Sequence, residues 1–219
     1  MADLIPAEIP LSFLEFTVNY PGRLLSPRRL YDEVLPAAYD GFRPWGIAAE
    51  QVTWKQNASN LAEFQLSFTL LSGRVIYTVG LVSARLLVMN PSWEEADLLM
   101  RLAASAFQAL ARAVGDGVET QTVAMTLHLK PVGLSLLDVT KKFCPTSNPE
   151  LMDQQPKGFG FSMTREGATW LVDLSALYPD ALFARISRAF AKDVPLDRIA
   201  VELRKEEEGL ARLLGVNIL

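Results

Sequence analysis

The chain predicts an α+β fold, with a curved antiparallel sheet and two long and two short helices packed on one face. Three observations carry this. Short runs alternate apolar and polar residues and are joined by tight turns, as antiparallel strands with one buried face do. Two long segments show helical spacing with capping residues at their ends. The element order also runs twice, over about residues 11–115 and 120–215, with no linker between the halves, so residues 1–219 are expected to form a single domain.

The first strand is read over Leu11 to Tyr20, where Leu14, Phe16, Val18 and Tyr20 oppose Phe13, Glu15, Thr17 and Asn19. Ser26 and Pro27 then suit the cap and first position of a short helix with Leu30 and Val34 inward, and Pro36 is a residue at which it could stop. Four alternating runs follow: Val52 and Trp54; Phe64 to Leu70; Val75 to Leu81; and Ala84 to Val88. "NPSWEEADLLMRLAASAFQALARAVGDG" is the clearest helix, with Ser92 and Glu95 placed as a capping box and Gly115 at its end. The second half opens with a strand from Thr120 to Lys130 and a short helix from Ser135 to Phe143. Strands over 159–164, 169–175 and about 182–190 come next, although Leu182, Ile186 and Phe190 also fit a helical period. A long helix from about Leu196 to Leu214 has Ile199, Leu203, Leu210 and Leu213 along one side.

Composition excludes several classes. Half of the residues are apolar and 21% are charged, with a net charge of −4, an ordinary globular balance and a poor one for electrostatic nucleic-acid binding. Cys144 is the only cysteine, so neither an intramolecular disulfide nor a thiolate-cluster metal site can form. The opening "MADLIPAEIPLSF" has no basic segment and contains Pro6 and Pro10, so it does not read as a signal peptide. No apolar run is long enough to span a membrane, and a cytoplasmic location is expected.

The β-α-β4-α order, apparently twice over, resembles the duplicated saddle of the TATA-binding-protein-like fold. Second, it resembles the helix-grip folds of START and polyketide-cyclase proteins. The stretch Leu86 to Leu102, a strand running through "NPSW" into a capped helix, also resembles a family of uncharacterised bacterial proteins with no known activity. The saddle resemblance implies that strands 11–20 and 120–130 meet near a pseudo-twofold axis and that one sheet face stays open. Thr17, Asn19, Thr53, Lys55, Gln65, Thr69, Thr78, Arg85, Thr126, His128, Lys130 and Arg185 take the outward parity of such a face. DNA-binding members insert aromatic wedges from that face into the minor groove. Here the aromatic residues mostly take the other parity and the charge is negative, so nucleic-acid binding does not follow from the topology.

Few residues suggest chemistry. His128 is the only histidine; as a base or metal ligand it has no second histidine to work with, and a solvated strand position is expected. Cys144, before Pro145, lacks any nucleophile motif and reads as a half-buried thiol. Glu94–Glu95 suits a helix start and Glu206–Glu207–Glu208 a solvated charge run, because helix neighbours point about 100° apart. Gly158 and Gly160 lack the third glycine and following helix of a dinucleotide site. Ser26, Arg28 and Arg29 form a candidate anion site at a helix start. Trp54 and Trp170 take inward parity and are expected in the core, whereas Trp45 and Trp93 could join an exposed patch.

The expectation is therefore a non-enzymatic protein-interaction or assembly module, binding itself or another protein. Its candidate face is Thr126, His128 and Lys130 with Thr17 and Asn19. A small-molecule pocket between sheet and long helix is the alternative, and nucleic-acid binding on the sheet is third. No cofactor or metal is implied.

Overall fold

The computed structural model describes residues 4–22, 24–55, 63–133, 135–136 and 160–218. The fold is mixed α+β. Ten strands pair in the order β2-β3-β4-β5-β1-β6-β9-β8-β7, with β10 added beside β1. They are β1 (Ile5–Asn19), β2 (Val52–Lys55), β3 (Gln65–Leu70), β4 (Val75–Val79), β5 (Ser83–Met89), β6 (Thr120–Pro131), β7 (Gly160–Arg165), β8 (Ala168–Leu174), β9 (Leu182–Phe190) and β10 (Val216–Ile218). The principal helices are α1 (27–42), α2 (Ala96–Val114) and α3 (Leu196–Leu214). Apart from Ser135 and Leu136, the short helix read over 135–143 lies outside the described residues, as do Cys144 and the 144–158 segment.

The chain divides into two compact units. The meander unit comprises Phe13–Ala124 and Ala189–Ala200. Its strands alternate as the sequence implies: Leu66, Phe68 and Leu70, then Val75, Tyr77 and Val79, then Ala84, Leu86 and Val88 are buried. Their neighbours on the opposite parity are half-exposed or exposed. Tight connections bring β3, β4 and β5 together as an antiparallel meander, with Phe68 opposite Tyr77 and Tyr77 opposite Leu86.

Helix α2 lies on the apolar side through Leu99, Leu102, Ala103, Ala106 and Leu110. The fully buried Tyr77 hydroxyl donates to the Ala106 carbonyl at 3.0 Å, so the polar end of a core ring fixes the helix position. Phe42 from α1 packs edge-on against Phe68 and Tyr77, at 5.5 and 5.6 Å between ring centres. Pro36 does not end α1. A π-helical turn at Leu30–Val34 precedes it, and the helix continues through Leu35–Phe42. The wider turn accommodates a residue that lacks an N–H and crowds the carbonyl four positions back.

The start of α2 also differs in detail from a simple capping box. Ser92 Oγ accepts from Glu94 N at 3.2 Å. The Glu95 carboxylate is gripped by the Arg74 guanidinium at 2.7 and 3.0 Å, which holds its pKa below the usual range.

The terminal unit comprises Met1–Ser12, Met125–Arg188 and Val201–Leu219. Its strands β7, β8 and β9 are antiparallel, and residues 182–190 form a strand despite their helical period. Pairing with β8 decides between the two readings, because Leu182, Ala184 and Ile186 then fall on one buried face. Contrary to an all-antiparallel expectation, β10 runs parallel to β1, pairing Ile5 with Val216 and Ala7 with Ile218. Strand β1 thus begins earlier than its alternating run and includes both Pro6 and Pro10.

Helix α3 packs on this unit through Leu203, Leu210 and Leu214, whereas Leu213, expected inside, is exposed. A Cβ on Gly209 would stand 3.1 Å from the Trp170 ring, so glycine permits the close approach of helix and strand. Glu206 corrects the reading of a solvated acidic run. It is 8% exposed and accepts from the Trp170 indole at 2.9 Å and from Arg188 at 2.9 Å. Arg188 also reaches Glu202 at 3.2 Å. Among the described residues, no helix is long and apolar enough to cross a membrane.

Candidate functional site

In the terminal unit, His128 is 3% exposed and Thr126 is also buried, so the expectation that they stand on a solvated strand face is corrected. From Met125 to Leu129 both parities of β6 are buried. The residues contacting His128 come from the turn after β8 and from β9: the rings of Tyr178 and Phe183 meet it edge-on at 5.5 and 5.6 Å. Thr126 Oγ1 accepts from Arg185 at 3.2 Å. Of the three neighbours proposed on this strand, only Lys130 reaches the surface.

The hydrogen bonds at His128 define its chemical state. Ser175 Oγ accepts from the backbone N–H groups of Leu177 at 3.2 Å and Tyr178 at 3.0 Å. Both lone pairs of the hydroxyl are then occupied, leaving its O–H to donate to His128 Nδ1 at 2.8 Å. Nδ1 is therefore an acceptor and the proton of the neutral imidazole sits on Nε2. Burial pushes the His128 pKa below its usual value, in the same direction. Ser175 resembles a nucleophile beside a base, but its lone pairs are committed to the turn it caps. The pair holds the β8–β9 turn against β6; it is a structural clasp. Ser175 was not singled out in the sequence, and its one local signal is a serine three residues before Tyr178, the spacing of a side-chain-capped turn.

Thr17 and Asn19 fall in the meander unit, so the proposed binding residues divide between the two units. Both are half-buried, and Asn19 Nδ2 donates to Thr120 Oγ1 at 3.1 Å. They belong to the sheet side opposite the buried row of Phe16 and Val18. On that side the strand register aligns Thr53, Ser67, Thr78, Arg85 and Thr17 across five strands. Ser67 and Thr78 share a hydrogen bond of 3.2 Å, and Arg85 pairs with Glu15. The result is a row of hydroxyls around the paired Arg85, with the exposed Lys55 on the same side of β2.

The candidate anion site is occupied by the protein's own groups. Ser26 Oγ accepts from Arg29 N at 3.3 Å. Arg29 donates to both carboxylate oxygens of Glu33 at 2.8 Å, to the Ala113 carbonyl at 2.6 Å and to the Leu24 carbonyl. The guanidinium therefore ties α1 to the end of α2. Arg28 is paired with Asp32 at 3.1 Å on the exposed side.

The tryptophans divide differently from their parities. Trp170 is buried, but Trp54 is 38% exposed and stacks on the exposed Tyr31 at 5.9 Å, with Phe64 edge-on at 5.3 Å. Its parity is the inward one. It lies on β2, the end strand of the sheet order, where its cover is the half-open contact with Tyr31 of α1 and with Phe64.

Among the described residues, no group of three or more His, Cys, Asp or Glu side chains is placed to hold a metal ion. No protein-family model matches the chain, and comparison with curated proteins finds no sequence match.

Proposed function

We propose that the chain is a non-enzymatic protein-interaction module whose binding surface is the uncovered side of β1 to β5 in the meander unit. The carrying observation is the aligned row Thr53, Ser67, Thr78, Arg85 and Thr17. At the usual strand spacing such a row extends over roughly 19 Å. A flat, half-exposed surface of hydroxyls suits a protein partner, which supplies area and many weak polar contacts, better than a small ligand, which needs enclosure. With Arg85 paired internally to Glu15, Lys55 is left as a single exposed cation on this side of β2, less than the several that a phosphate backbone calls for. The fold resemblance itself supplies no partner.

The test is site-specific photo-crosslinking in producing cells, with the crosslinker at Thr78 and a control at Gln108 on the far side of the unit. A discrete adduct is expected from Thr78, absent from Gln108 and lost when Arg85→Glu is added. Adducts of equal yield at both positions, or none at Thr78, overturn the proposal.

A further inference from the structure

Between the Pro44–Trp45 turn at the end of α1 and the outward side of α2 lies a cleft of about 510 Å³, lined by Pro44, Trp45, Arg101, Ala104, Ser105 and Gln108. The α2 residues share one side because they are spaced by three and four. Two features set the cleft apart from an ordinary helix surface. Trp45 Nε1 is buried and has no hydrogen-bond partner. Buried indole N–H groups are ordinarily paired, and leaving one unpaired is destabilising. Two polar side chains of the α2 wall are also uncommitted: Arg101 and Gln108 make no side-chain hydrogen bond or ion pair among the described residues. The Ser105 hydroxyl, in contrast, is committed to the Arg101 carbonyl at 3.1 Å.

We infer that this cleft is a binding site for a small organic carboxylate with an apolar body. The uncommitted side-chain donors of the cleft are one guanidinium and one amide, and no acidic side chain lines it. A single guanidinium fork matches the two oxygens of a carboxylate. A phosphate would call for further cations or a run of backbone N–H groups, and the middle of α2 supplies neither, its N–H groups being held within the helix. Pro44, the Trp45 ring and Ala104 provide apolar walls for the rest of the molecule.

Phenylacetate is a suitable probe and phenylacetamide its uncharged counterpart. The four tryptophans give four indole N–H resonances, and Trp45→Phe identifies that of Trp45. Phenylacetate is expected to move the Trp45 resonance saturably while leaving that of the buried Trp170 in place. Losing the charge-assisted pair should weaken the response on the order of tenfold, both for phenylacetamide and in Arg101→Gln. Arg101 is exposed, so unchanged resonances elsewhere show that the variant remains folded. No movement at millimolar probe, an equal response to the amide, or undiminished binding by Arg101→Gln overturns the assignment.

Discussion

Replacing Glu206 with alanine removes the acceptor that joins α3 to Trp170 and Arg188. Two losses combine. The charge-assisted bond from Arg188 at 2.9 Å is worth about 1.5–3 kcal/mol. The Trp170 indole, bonded at 2.9 Å in a buried position, is left unpaired at a further cost of about 1–3 kcal/mol. Arg188 keeps Glu202 at 3.2 Å and is 21% exposed, so the lower part of each range applies. The expected destabilisation is about 3 kcal/mol by urea unfolding followed by far-UV circular dichroism. Glu206→Gln keeps an acceptor for the indole and should cost about half as much. The decisive comparison is the Trp170→Phe background. There the indole N–H is already absent, so Glu206→Ala should cost at least about 1 kcal/mol less than in the parent. A loss below about 0.5 kcal/mol in the parent, or strict additivity in the double variant, refutes the linkage.

His128 gives a pH prediction with a definite sign. Its folded pKa lies below the unfolded value of 6.5, so the unfolded chain takes up the proton first as pH falls. The stabilisation is complete above the unfolded value and is lost as pH drops through the lower folded one. Urea midpoints at about pH 7.5 and about pH 5 should therefore diverge more for the parent than for His128→Gln, and equal divergence excludes this role. Tyr77→Phe keeps the ring but removes the bond to Ala106, so about 1 kcal/mol of stability should be lost without a change in the unfolding slope. Arg29→Lys should lower the melting temperature nearly as far as Arg29→Met, because an ammonium cannot span Glu33 and the Ala113 carbonyl together; full rescue by lysine contradicts the fork geometry.

The meander and α2 were legible in the sequence because period-two and period-3.6 burial are local patterns, and Leu66 to Val88 and Leu99 to Leu110 follow them. Parity tells which side a residue takes, not what covers that side. His128 was assigned the side opposite Leu127 and Leu129, but its neighbours Tyr178 and Phe183 arrive from some 50 residues downstream. Trp54 shows the converse, an inward residue that its neighbours Tyr31 and Phe64 cover only in part. Glu206 was hidden among three consecutive glutamates, of which helical rotation turns one toward Trp170. The Trp45 cleft joins a turn to a helix more than 50 residues away, with no shared motif.

The parallel pairing of β1 with β10 has a consequence for the order of events in folding. Ile5 cannot acquire its Val216 neighbour until a ribosome has delivered the 211 residues that follow it. Most of the meander unit, in contrast, comes from Phe13–Ala124, a continuous stretch whose hairpins close over short loops. During synthesis the opening residues of β1 must therefore wait for β10 to be delivered before this edge is paired. A nascent-chain series stalled before and after Val216 should show early protease protection of residues 65–89, with residues 5–7 protected only in the longest members.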